Sequence, residues 1–182
     1  YRDSLPTLSK YLNDGYAADL LSTRPDITSV AWPSFATGQN PGQTGLFDFL
    51  HRDPETLTFS LNDVREREFD FFWEYLDGET GVASVPMVPY RSPEGFFIQG
   101  SLARVNANRI TNARAIADIL GDAYDYHVDV SAQTGDIKSN LLNRVASREQ
   151  VYCRLVEEYD LECYFMMFSA VDFAQHHFWA FT

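Results

Sequence analysis

At 182 residues, 45% apolar and 15% aromatic, the chain suits one domain, or one with a small insertion, and can build a sizeable core; this is not the composition of a disordered chain. Its net charge of −12, from 26 acidic against 14 basic residues, argues against a nucleic-acid duplex or an anionic membrane as main partner. No apolar run reaches the roughly 18 residues that a membrane-spanning helix needs.

In chain order, "LPTLSKYLNDG" (Leu5 to Gly15) predicts a short helix stopped by Gly15. "YAADLLST" predicts a strand. "TSVAWPSFATG" predicts a short helix with Thr28 near its cap, Gly38 past its end, and Pro33 close enough to the first turn to be tolerated. From Asp48 to about Asp63 the pattern is polar and loop-like. "REFDFFWEYLDGETG" places Phe72, Tyr75 and Leu76 at helical spacing, with a stop near Gly78 or Gly81. "VASVPMV" predicts a strand, and "PYRSPEGFFIQG" a loop punctuated by Pro and Gly.

"NARAIADIL" predicts a helix through Ala113, Ile116, Ala117 and Leu120, and "YHVDV" a short strand that packs His127. "SREQVYCRLVEEY" predicts a helix that opens on a capping box of Ser147 and Gln150 and buries Val151, Leu155, Val156 and Tyr159. "LECYFMMFS" predicts a buried strand that runs straight into "AVDFAQHHFW". Strands alternating with helices imply an α/β fold, a three-layer sandwich with a mainly parallel sheet covered on both faces. Cys153 and Cys163 are expected to be free thiols packed as small apolar groups, which favours a reducing, cytoplasmic setting. The first residue is Tyr1 rather than Met, so a leader ahead of it stays open.

Two features carry possible chemistry. Asp172 and His176 are four residues apart, directly after the strongest strand; on a helix both side chains share one face and can grip one divalent ion. The plainer alternative is a helix-capping Asp beside a surface His. His177 falls on another face. Thr28 and Ser29 open the second helix, where backbone N–H groups can receive an anion. Capping is the plainer role for Thr28. As a nucleophile it requires a metal to lower its hydroxyl pKa, and Ser29 is the runner-up.

Taken together, four segments in this order resemble the type I phosphodiesterase/nucleotide pyrophosphatase family of the alkaline phosphatase superfamily. They are "LPTLSKYLNDG", "DITSVAWPSFATGQNPGQTGLFDFLHRDP", "GVASVPMVPYRSPEGFFIQG" and "FMMFSAVDFAQHHFW", and they span nearly the whole chain. The resemblance implies an alkaline-phosphatase-like domain over residues 1–182, with a loop-rich inserted segment or cap within about residues 48–130. In the family a Thr or Ser ten residues before the glycine of a T-G pair attacks phosphorus and ligates a metal; the position here is Thr28, ten before Gly38. The family's D-x-x-x-H ligates one of two ions, and maps to Asp172 and His176. Two divalent ions, zinc or manganese, are the implied cofactors.

The pattern also departs from the family. Its first metal-binding Asp, its later Asp-His-Gly segment and its final ligand His have no counterpart here, so the chain is expected to lack both ends of the catalytic domain. The Asn that holds phosphate in nucleotide pyrophosphatases, twenty-one residues after the nucleophile, falls on Phe49, which points to a prokaryotic or archaeal branch. His51 and Arg52 could reach a substrate or stabilise a turn with Asp53, while Arg65 and Tyr90 lie in segments that the family places over the site.

The function expected is hydrolysis of a small phosphate ester with Thr28 as nucleophile. The alternatives are a non-catalytic fragment or binding module of the same fold, and a sulfatase- or phosphomutase-like relative, although the C/S-x-P-x-R sulfatase signature is missing. The 182 residues by themselves are expected to bind metal weakly and to show little activity. Of the basic residues only Lys10 and Lys138 are lysine. So many carboxylates with so little Lys resembles proteins of salt-loving archaea, although an ordinary acidic cytosolic protein has the same look.

Overall fold

In the computed structural model, residues 4–62, 69–89, 94–100 and 136–179 are described. The expected helix at "NARAIADIL", the strand at "YHVDV", and the candidate residues Arg65, Tyr90 and His127 lie outside these residues. Among the described residues the central element is a parallel sheet of three short strands, β3 (Thr80–Ala83), β4 (Phe96–Ile98) and β5 (Cys163–Met166), in the order β4-β3-β5. Register aligns Val82 with Phe97 and Phe165, and Ala83 with Ile98 and Met166. Side chains alternate across a strand, so Val82, Phe97 and Phe165 join one core cluster while Ala83, Phe96, Ile98, Tyr164 and Met166 join another.

Each cluster is closed by helical structure. On the first face lie α2 (Thr28–Thr37) and a 3₁₀ turn at Phe72–Tyr75. Phe35 of α2 stacks on Phe165 of β5 at 5.4 Å between ring centroids, and Trp73 stacks on the same ring at 5.9 Å. On the second face α4 (Ile137–Glu158) inserts Val151, Tyr152 and Leu155. The result is the expected three-layer α/β arrangement with a parallel sheet. Gly81 is required where β3 meets β4: a Cβ there would lie 2.5 Å from the Phe96 ring.

The remaining elements are peripheral. Helix α1 (Pro6–Asp14) ends at Gly15 as expected, with none of its residues buried. A four-residue helix, α3 (Pro41–Thr44), carries a capping box of Asn40 and Gln43; left-handed Gly38 and Gly45 flank it and deliver Leu46 to the core. β1 (Leu50–Arg52) and β2 (Phe59–Leu61) form an antiparallel hairpin. Helix α5 (Ala170–Phe178) follows β5 and packs against α4.

Several expectations are corrected. "YAADLLST" is not a strand: Tyr16 to Ser22 are exposed and pair with no strand among the described residues. Within the stretch expected to be a loop, Leu50 to Leu61 form a hairpin, because alternating Leu50/Arg52 and Phe59/Leu61 can pair once Asp53 closes the turn. "FDFFWEYL" forms only a 3₁₀ turn, at Phe72–Tyr75; Phe69, Phe71 and Trp73 are the buried residues of the segment, and Tyr75 and Leu76 are exposed. The strand expected at "VASVPMV" begins earlier, at Thr80, and the loop around "FFI" holds β4. Helix α4 starts at Ile137, capped by Asp136, so Ser147 and Gln150 sit inside it and make no capping box. Its buried face is Leu141, Arg148, Val151, Tyr152 and Leu155, while Val156 is exposed. Pro33 is the sixth residue of α2, beyond the first turn; it removes one ladder bond, and burial of Val30 and Ala36 offsets that loss. Both cysteines are free, but Cys153 is exposed rather than packed.

Candidate active site

The parallel sheet directs attention to the carboxyl ends of its strands, where α/β folds gather functional groups. β5 ends at Met166, and α5 begins four residues later. Asp172 lies in the first turn of α5, where a negative charge complements the helix dipole; His176 and His177 lie in the last turn, where a cation is favoured. Asp172 is not the capping residue: that position is Ser169, and no side chain caps the helix. Asp172 Oδ1 lies 3.6 Å from His176 Nε2, and the two side chains are 64% and 73% exposed. His177 is exposed and turns its ring toward Phe178.

The pair fits a divalent ion. Bonds of about 2.0–2.2 Å to one carboxylate oxygen and one imidazole nitrogen, at a tetrahedral angle, set those atoms about 3.4 Å apart. The observed spacing is within a few tenths of an ångström of this. Asp172 and His176 would supply two ligands to such an ion; no group of three His, Cys, Asp or Glu side chains converges among the described residues.

Thr28 is the first residue of α2, with Ile27 at the capping position in extended conformation. The two hydroxyls that read alike in the sequence differ in space. Ser29 is fully buried, and its Oγ has no hydrogen-bond partner among the described residues, whereas Thr28 is half-buried. Thr28 stands seven residues before Phe35, about 10 Å along the helix axis. Through Phe35, α2 rests on the same strand that leads into α5. Gly38 closes the helix in left-handed conformation, φ 68°.

The softer candidates sit elsewhere. Phe49 is partly buried against the first core cluster. His51 and Arg52 are exposed on β1, with His51 opposite Ser60. Asp53 Oδ1 accepts from the backbone N–H groups of Glu55 and Thr56, at 2.8 and 2.9 Å, and closes the hairpin turn. Those bonds, from Thr56 first and then Glu55, hold the Asp53 carboxyl below its usual value, with a smaller contribution from His51.

One buried group escaped the sequence reading. Arg148, 9% exposed, occupies the apolar stripe of α4 and reaches the start of α5. Its Nη1 donates to Ser169 Oγ at 2.8 Å and, more weakly, to the Met167 carbonyl at 3.4 Å. The signal available was an Arg spaced seven residues after Leu141 and seven before Leu155 on one helical face.

Comparison with known proteins gives one match. The family model described as type I phosphodiesterase / nucleotide pyrophosphatase matches residues 1–180. The chain belongs to the type I phosphodiesterase/nucleotide pyrophosphatase family. Neither a curated protein nor a solved structure matches it. The three-layer arrangement with its parallel sheet is consistent with an alkaline-phosphatase-like α/β fold for this family member. No helix among its described residues is long and apolar enough to cross a membrane.

Proposed function

We propose that this family member is a metal-dependent phosphodiesterase or phosphohydrolase in which Thr28 is the nucleophile and Asp172 and His176 hold one of two divalent ions. The observation that carries the reading is the Asp172–His176 pair, at ligand spacing on the helix that follows β5, in a chain of this family. The partial exposure of Thr28, against the full burial of Ser29, supports the choice of nucleophile. The reading needs further ligands from outside the described residues.

When bound, zinc or manganese ions would neutralise phosphate charge and make the Thr28 hydroxyl easier to deprotonate. Thr28 Oγ1 then forms a bond to phosphorus as the bond to the leaving alcohol oxygen breaks, and that oxygen takes up a proton. Water cleaves the phospho-threonine and returns a proton to Thr28 Oγ1. The start of α2 offers backbone N–H groups to the phosphate oxygens. The substrate is a small phosphate ester. The acidic surface, with a net charge of −12, disfavours a nucleic-acid duplex.

The test is hydrolysis of an aryl phosphodiester by the full-length protein with zinc or manganese, before and after chelation. Metal-dependent turnover with a phosphate trapped on Thr28 supports the reading. Absence of turnover at saturating zinc and manganese would leave the binding-module alternative.

A further inference from the structure

The start of α5 is tied to the sheet through α4. Beyond β3, the Ser84 N–H donates to the Ile98 carbonyl at the end of β4, at 2.8 Å, and beyond β5 the Met167 N–H donates to the Ala83 carbonyl, at 3.0 Å. The buried Tyr152 hydroxyl lies 2.7 Å from Ser84 Oγ and 3.0 Å from the Met167 carbonyl. A carbonyl only accepts, so the single Tyr152 proton serves Met167 and the Ser84 hydroxyl supplies its own. Ser84 has φ 63°, a left-handed conformation that costs a non-glycine residue on the order of 1 kcal/mol or more. Its bonds to Ile98 and Tyr152 hold that conformation.

Arg148 lies one turn before Tyr152 and extends the same tie by one step, to Ser169. A serine at a helix start ordinarily accepts from the first-turn N–H groups. Ser169 does not: its backbone is already helical, at φ −84° and ψ −6°, and its Oγ accepts from Arg148 instead. Asp172 is three residues further on and His176 seven. Both side chains are mostly exposed, so packing does little to fix them; the setting of α5 decides where they point.

Building on the metal-ligand reading of Asp172 and His176, we propose that Arg148 is a positioning residue for that pair. Its two bonds fix the start of α5 and hence the direction in which both ligands face. A flexible ammonium reproduces this in part, since it lacks the planar fork of the guanidinium. Loss of partners that orient metal ligands typically weakens metal binding about 10- to 100-fold.

The experiment uses the full-length protein and its Arg148→Met, Arg148→Lys, Ser169→Ala and His176→Ala variants. Zinc affinity is measured by competition with a chelating dye, cobalt(II) spectra report ligand geometry, and thermal melting reports the fold. Arg148→Met is expected to weaken zinc binding about 10- to 100-fold and alter the cobalt spectrum, with turnover restored by saturating zinc. Arg148→Lys is expected between it and the parent. Ser169→Ala, which removes the acceptor but keeps the guanidinium and its bond to the Met167 carbonyl, is expected to weaken zinc binding in the same direction and gives a second, independent reading if Arg148→Met does not fold. If His176→Ala weakens zinc binding while the folded Arg148 and Ser169 variants bind it unchanged, the proposal falls and the ligand reading stands. If His176→Ala itself binds zinc unchanged, the ligand reading falls and takes the proposal with it.

Discussion

Thr28 and Ser29 are consecutive in the first turn of α2, yet Ser29 is fully buried with its hydroxyl unpartnered among the described residues and Thr28 is half-buried. A substrate phosphorus can approach the second kind of hydroxyl and not the first. Thr28→Ala is therefore expected to abolish turnover of a diester, while the fold and most metal binding persist. Ser29→Ala is expected to keep activity and to leave the melting temperature unchanged or slightly raised, because an unpaired buried hydroxyl costs about 1–3 kcal/mol. Rates and melting curves of the two variants decide this. An active Thr28→Ala beside an inactive Ser29→Ala would reassign the nucleophile.

Asp172 and His176 predict a different signature. On the proposed reading His176→Ala removes one of the few ligands of its ion, so zinc affinity is expected to fall and excess zinc to restore part of the activity. Asp172→Asn keeps the shape but removes the charge, and is expected to act in the same direction. A zinc titration of turnover, with affinity measured in parallel, checks both. Equal zinc dependence in parent and variants would dissociate this pair from the metal.

How much of this was legible from the residues follows from what each pattern could express. The Asp172–His176 pair was legible because four-residue spacing after an apolar strand has one helical consequence. β5 was legible as a continuous apolar run, and α1 by its terminal Gly15. β4 was not: three apolar residues between Pro93 and Gly100 are too few to show a period, and only pairing with β3 makes them a strand. Tyr16 to Ser22 erred in the opposite sense, since apolar residues without a pairing partner remain coil. Ser147 and Gln150 imitate a helix start, but Asp136, accepting from the Lys138 N–H, supplies the actual cap. The difference between Thr28 and Ser29, and the burial of Arg148, depend on what packs against them, which no local pattern encodes.

Gly81 tests the packing of β3 against β4. Phe96 is fully buried, so its ring cannot swing away from an added methyl group, which would also lie 2.9 Å from Leu161 Cδ1. Gly81→Ala is expected to destabilise the protein by about 1–3 kcal/mol through overpacking. Denaturant unfolding measures it. A stability equal to the parent would mean that the second core cluster rearranges freely, contrary to dense packing.

Asp136 gives a pH-dependent prediction. Its carboxylate accepts from Ser139 Oγ at 2.5 Å and from the Lys138 N–H at 3.1 Å. The Ser139 hydroxyl first, and then the backbone N–H groups of Lys138 and Ser139, hold its pKa below the ordinary 3.8. A carboxyl with a depressed folded pKa binds its proton more readily in the unfolded chain. Its stabilising contribution is therefore fully present above the unfolded value and is lost as pH falls through the folded one. Asp136→Ala is expected to lower the melting temperature at neutral pH, with the gap to the parent shrinking once the pH drops below 3.8. Asp136→Asn retains a capping oxygen without a titrating charge, so its deficit is expected to be smaller at neutral pH. Melting curves of the three proteins along one pH series provide the check. A gap between Asp136→Ala and the parent that stays constant into acid would show that the capping charge contributes nothing to the stability of α4.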